Sequence, residues 1–260
     1  MSRHHIDHSS RIDRQNTPCR DGCFFERDAE TAILRRAGVE LIGTLLLMLA
    51  IVGSGQMATR FTGASSGVNL LFAACATAGA LVGLIVAFGA ASGGHFNPLI
   101  TLLQWVRGER DAACTVAYVA AQLLGAGGGS VLASHAFGPV PAAGPSVLPI
   151  STLFSSELLA SAGLMLIVFG CSRSGRSEVG PLAVGAWLAA AIVATPSLSY
   201  ANPAVAVGAY FASGPVALPG SLTPIYVIAE LLGALLALPV IGHVYPGVVD
   251  VDPEAAAMEK

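Results

Sequence analysis

Six apolar runs dominate the chain, at about residues 36–57, 68–91, 112–133, 152–171, 179–195 and 225–243. Each approaches the ~20 residues that a helix needs to cross a bilayer. Only 11% of the 260 residues are charged and 54% are hydrophobic, where a soluble domain carries about 25% charged residues. The runs therefore read as membrane-spanning helices. The first is apolar apart from Glu40 near its start. Charged or polar turns separate the runs, among them Arg107-Gly108-Glu109-Arg110-Asp111 and the stretch from Ser172 to Glu178.

Two shorter apolar runs, Leu99 to Trp105 and Ala204 to Phe211, are about half a span long. Each is preceded by Asn-Pro, at Asn97-Pro98 and Asn202-Pro203, and each Asn-Pro follows a loop of mostly small residues. Asn is a good helix N-cap, and Pro fits the first helical position because its missing N–H would be unbonded there anyway. Both runs read as half-length helices. Irregular backbone at membrane depth is tolerated only where protein packs it or where it lines a wet cavity, so these loops mark the site.

The chain repeats itself. Residues 118–126, Tyr-Val-Ala-Ala-Gln-Leu-Leu-Gly-Ala, match residues 226–234, Tyr-Val-Ile-Ala-Glu-Leu-Leu-Gly-Ala. Glu40-Leu41-Ile42-Gly43 matches Glu157-Leu158-Leu159-Ala160 more weakly. Both halves read span, span, half-helix, span. An odd number of full spans inverts the second half, so the half-helices enter from opposite faces and their Asn-Pro ends meet near the midplane. The expected fold is all-α: six transmembrane helices and two re-entrant half-helices in an inverted repeat. The expected divisions are a disordered cytoplasmic tail at 1–32, a channel domain at 33–244 with halves at about 33–134 and 152–244, and a cytoplasmic tail at 245–260. Arg27, Arg35, Arg36, Arg107, Arg110, Arg173 and Arg176 fall on one side and Arg60 on the other, which places both termini in the cytoplasm.

At this point the chain resembles the major intrinsic protein family, the aquaporins and aquaglyceroporins. The resemblance rests on Ser92-Gly93-Gly94-His95-Phe96-Asn97-Pro98, on Asn202-Pro203-Ala204, on Glu40 and Glu157, and on the paired Gly-Ala of the third and sixth spans. It covers about residues 33–244. As in the aquaporin-type pores that are the standard example of this physics, two half-helix N-termini of roughly +0.5 charge each would face one another and repel cations. The amides of Asn97 and Asn202 can donate to a permeating oxygen. Loop carbonyls at Gly93, Gly94 and His95, and at Ser199, Tyr200 and Ala201, can accept from its protons. Glu40 and Glu157 are intramembrane acids that need partners; the resemblance implies that each holds its own half's loop. Gln122 is expected to bond between helices, and Gly125 and Gly233 to allow close helix contact. Glu230 departs from the pattern, since relatives usually carry no acid there.

Two further departures bear on the solute. Relatives that carry water or glycerol usually have Arg after the second Asn-Pro-Ala, and here it is Val205; the first motif ends in Leu99 instead of Ala. Counted from the motifs, the other constriction positions are Thr77, Ala190 and Ser199. These residues are small and uncharged, which predicts an outer constriction wider than a water-only pore and without a fixed cation. Bacterial relatives with Val in that place resemble channels for trivalent arsenic. The resemblance thus implies a passive channel for small neutral solutes in the bacterial inner membrane, tetrameric as in the family. Metalloid hydroxides such as arsenous or antimonous acid are the first expected cargo, and glycerol, urea and water follow. The rivals are an ion-coupled secondary transporter, with Glu40, Glu157 or Glu230 as coupling acid, and a non-conducting scaffold.

Other classes fit poorly. A net charge of -3 argues against a nucleic-acid partner. The spans hold no nucleophile–base pair or metal-ligand cluster, so neither an enzyme nor a cofactor is expected. Cys19, Cys23, Cys75, Cys114 and Cys171 all fall outside predicted exoplasmic segments, which argues against a disulfide framework. His4, His5, His8, Cys19 and Cys23 offer soft ligands, but their spacing fits no zinc pattern, and the segment reads as a solvated tail.

Overall fold

The computed structural model describes residues 32–62, 66–138, 140 and 148–245. Both predicted tails, with the His/Cys group of the first, lie outside the described residues apart from Ala32 and Tyr245. The described chain forms α1 (Ile33–Thr62), α2 (Ser66–Ser92), α3 (Pro98–Val106), α4 (Ala112–Phe137), α5 (Ile150–Arg173), α6 (Gly180–Ala194), α7 (Pro203–Tyr210) and α8 (Thr223–Val244). Six helical segments are long and apolar enough to cross a membrane, and α3 and α7 are the two short ones. At 1.5 Å per residue, the 15 residues of α6 reach about 22 Å, short of a ~30 Å hydrocarbon core. A 3-10 turn at Ser177–Val179 lengthens that segment.

The helices pair as an inverted repeat requires. α1 packs along α4, α5 along α8, and α2 along α6. The close pairs depend on glycine. A Cβ at Gly125 would press on the backbone carbonyl of Leu41 in α1, and one at Gly233 on that of Leu158 in α5. Those carbonyls belong to the residues that follow Glu40 and Glu157, so the same contact sets the height of each acid in its half. Gly129 meets the carbonyl of Leu45 in the same way, one turn along α4.

The cationic end of the bundle is held by side chains from several elements. Arg36 Nε donates to Tyr118 Oη at 3.2 Å. Arg110 lies over the Tyr118 ring, 4.5 Å from its centroid, and donates to Gln104 Oε1 at 3.1 Å. Glu109 pairs with both Arg107 and Arg173, joining the end of α3 to the end of α5. Arg60, at the other end of α1, donates to the Gly138 carbonyl at 2.9 Å.

Candidate functional site

Each half-helix starts on its Asn. Asn97 Oδ1 accepts from the Leu99 N–H at 2.9 Å and Asn202 Oδ1 from the Ala204 N–H at 3.0 Å. The caps are extended, with φ of -152° and -160°, and Pro98 and Pro203 open the helices. The other half of each amide reaches across. Asn97 Nδ2 donates to the Ala201 carbonyl at 2.9 Å, and Asn202 Nδ2 to the Phe96 carbonyl at 2.8 Å. The two loops are thus tied reciprocally, and the N-termini of α3 and α7 meet inside the protein.

The loops are strained, and the buried acids hold them. Phe96 and Ala201, the residues before each Asn, have φ of 45° and 46°. Non-glycine residues in this region cost about 1–2 kcal/mol each. Glu40 accepts four hydrogen bonds: from Ser92 Oγ at 2.6 Å, the His95 N–H at 3.0 Å, the Phe96 N–H at 2.6 Å and Gln122 Nε2 at 2.8 Å. Glu157 accepts from the Tyr200 N–H at 3.1 Å and the Ala201 N–H at 2.9 Å. Both acids are fully buried. Gly93 and Gly94 take positive φ in the first loop, whereas Leu198 and Ser199 take it at the matching positions of the second.

Tyrosines finish the frame. Tyr118 Oη donates to the Ser92 carbonyl at 2.7 Å and Tyr226 Oη to the Ser197 carbonyl at 3.2 Å. His95 Nδ1 lies 2.9 Å from Thr101 Oγ1, which also accepts from Gln122 Nε2 at 3.1 Å. The sequence alone assigns no role to Ser92, Ser197, Tyr118 or Tyr226. Superposing the two Asn-Pro motifs would have paired the serines, and the tyrosines head the duplicated nine-residue stretch.

Two cavities of about 30 Å³ each adjoin the Asn pair. One is bounded by Thr77, Leu188, Ser199, Tyr200 and Val205; the other by Gly93, Gly94, His95, Asn97 and Val184. Asn202, Leu81 and Leu188 line both. A water needs about 10–15 Å³ on this measure, so each cavity holds about two water positions. Among the described residues, no Asp, Glu, Lys or Arg lines either cavity.

Some of the expected pore positions lie elsewhere. Ala190 is exposed on the outer face of α6 and lines neither cavity. Leu188 and Ile192 stand there instead. Two residues along a helix are about 200° around it, so an alignment error of two turns a lining residue outward. Ala201 lines neither cavity, and its carbonyl accepts from Asn97. Nor do the small residues expected at the constriction stand alone: Leu47, Ile51, Leu188 and Ile192 line the same cavity as Thr77, Ser199 and Val205. Ser199 Oγ is itself engaged, at 3.0 Å from the Ala191 carbonyl and 2.5 Å from Thr195 Oγ1.

Two facing half-helices cross-tied by their capping Asn residues, with a buried acid behind each loop, are a demanding arrangement to share by chance. The profile of the major intrinsic protein family matches residues 28–237. The chain belongs to the major intrinsic protein family. It is similar to the aquaglyceroporin AqpS of Rhizobium meliloti, 39% identical over 211 residues that cover 80% of this chain and 89% of the relative. It is 30% identical to the glycerol uptake facilitator protein-like 6 of Lactiplantibacillus plantarum, over 78% of this chain and 95% of that one. The aquaglyceroporin of Plasmodium falciparum has the same fold, with a TM-score of 0.60 at 21% identity over 84% of this chain and 97% of that one. As a member of this family the protein is an integral, multi-pass membrane channel and not an enzyme.

Proposed function

We propose that this channel passes small uncharged hydroxylated solutes down their gradients, with arsenous acid and glycerol-class polyols among them alongside water. The observation that carries the reading is the wall of the two cavities, apolar and without an ionised side chain, with the Asn97 and Asn202 amides at their junction. Each amide uses one N–H in the cross-tie and keeps a second for a permeant oxygen. A neutral solute exchanges water hydrogen bonds for these, whereas an ion would lose its hydration without a counter-charge. Val205 leaves no guanidinium at the second motif, and the name of the AqpS relative supports polyol passage. The buried acids have loop partners, which speaks against a coupling role. We further propose a homotetramer in the bacterial inner membrane, as the family resemblance implies, with both termini cytoplasmic on the strength of the Arg distribution.

Stopped-flow light scattering on proteoliposomes tests the reading, with water, glycerol and arsenous acid as driving solutes. Entry of all three should scale linearly with gradient and ignore a pH difference. Val205→Arg should depress glycerol and arsenous acid entry more than water entry. Unchanged metalloid and glycerol entry in that variant would remove Val205 from the selectivity determinants.

A further inference from the structure

The two halves support their loops with different chemistry. In the first, Gln122 of α4 donates to Glu40, which also accepts from Ser92 Oγ and two loop N–H groups. In the second, the place of Gln122 in the repeat is taken by Glu230 of α8. Glu157 accepts from the Tyr200 N–H at 3.1 Å and the Ala201 N–H at 2.9 Å. The Glu230 carboxyl stands beside it, because the two acids take the three successive N–H groups of Tyr200, Ala201 and Asn202. Glu230 Oε1 accepts from the Asn202 N–H at 3.1 Å. Its Oε2 has no donor pointing at it, and the residue is completely buried.

Two ionised carboxylates side by side in a buried site repel one another, and a proton held by one and donated to the other removes the repulsion. Both Glu157 oxygens already accept from the loop, whereas one Glu230 oxygen receives nothing, so Glu230 is the carboxyl placed to carry the proton. We propose that Glu230 is a neutral carboxylic acid whose Oε2–H donates to Glu157 while its Oε1 fixes the Asn202 backbone, making it a positioning residue for the second Asn-Pro loop. The acid does for Glu157 and Asn202 what an amide does for Glu40. The proton stays on the pair and no bond is made or broken. Each half then keeps one negative charge behind its half-helix. A second charge at Glu230 would sit beside the N-terminus of α7 and offset its positive end. The titratable groups around Glu230 are Glu157 of α5, Tyr200 of the loop and Tyr226 of its own helix.

Infrared difference spectroscopy of the purified full chain in lipid, wild type minus Glu230→Gln, tests the proton directly. A protonated-carboxyl stretching band that shifts on exchange into D2O should be present in the wild type and missing from the variant. Glu230→Gln should keep solute flux unchanged, because an amide can donate to Glu157 and accept from Asn202. Glu230→Leu leaves the Asn202 N–H and Glu157 each short of a partner, and should lower flux per folded protein by about tenfold or more. Absence of the difference band, or a Glu230→Leu variant that folds and conducts like the wild type, would overturn the proposal. The infrared result stands even if Glu230→Leu fails to fold, and it does not depend on which solute the channel carries.

Discussion

Replacing Glu40 by Gln changes one atom in the channel and should damage it out of proportion. The carboxylate receives four donors, and an amide has only one acceptor oxygen. If that oxygen keeps Ser92 Oγ and the His95 N–H, the new NH2 group faces the Phe96 N–H. That buried donor then has no partner, at a cost of about 1–3 kcal/mol. The two bonds that survive become neutral and lose about 1 kcal/mol each. Gln122 can turn its otherwise unsatisfied Oε1 toward the new amide, which keeps its contact with residue 40 but gives up its bond to Thr101 Oγ1. Without the Thr101 bond, the sum is about 3–5 kcal/mol, taken from the carboxylate that holds Phe96 in a left-handed conformation. At about 2–4 °C per kcal/mol for a domain of this size, melting should fall by ~6–20 °C. Trp105 and Trp187 give a fluorescence signal for the melt in detergent, followed at one fixed scan rate because such unfolding is often irreversible. Water flux per protein should fall as well. A variant that melts and conducts like the wild type would show that the loop holds its shape without the carboxylate.

Other substitutions probe the remaining links. Gly233→Val puts a branched side chain against the Leu158 carbonyl, and should cost at least the ~1–3 kcal/mol of an overpacked core, read as a lower melting temperature. Leu188→Ala should widen both cavities and raise glycerol entry more than water entry, while Ala190→Leu, on the exposed face, should change neither; the opposite pattern would return Ala190 to the pore. Gly94→Ala places a Cβ 3.2 Å from Gly89 Cα at φ +63°, and should cost about 1–2 kcal/mol in a melt, with Gly94→Ser no better although Ser199 occupies the matching position.

The sequence by itself determined the architecture, because a bilayer leaves few choices. Six runs of spanning length, two half-length runs each opened by Asn-Pro, and an odd number of spans per repeat lead to one inverted arrangement. The helix starts at Pro98 and Pro203 were legible because capping is local chemistry, written in adjacent residues. The approximate ends of the spans were legible because charged turns punctuate them. Glu40 and Glu157 stood out because an acid in hydrocarbon must have a partner.

Only the tertiary structure decided which faces meet. In water, an apolar stripe marks the side of a helix that packs; in a membrane the lipid-facing side is apolar too, and the stripe vanishes. α6 is apolar nearly all round, so nothing in its sequence ranks Leu188 above Ala190, and the packing of α6 on α2 and α5 alone turns Leu188 inward. The reciprocal Asn97–Ala201 and Asn202–Phe96 ties join residues 104 and 106 positions apart. No local signal reaches that far. The placement of Glu230 beside Glu157 is of the same kind, since a lone acid in the repeat looked like an anomaly until the fold set it beside another carboxyl.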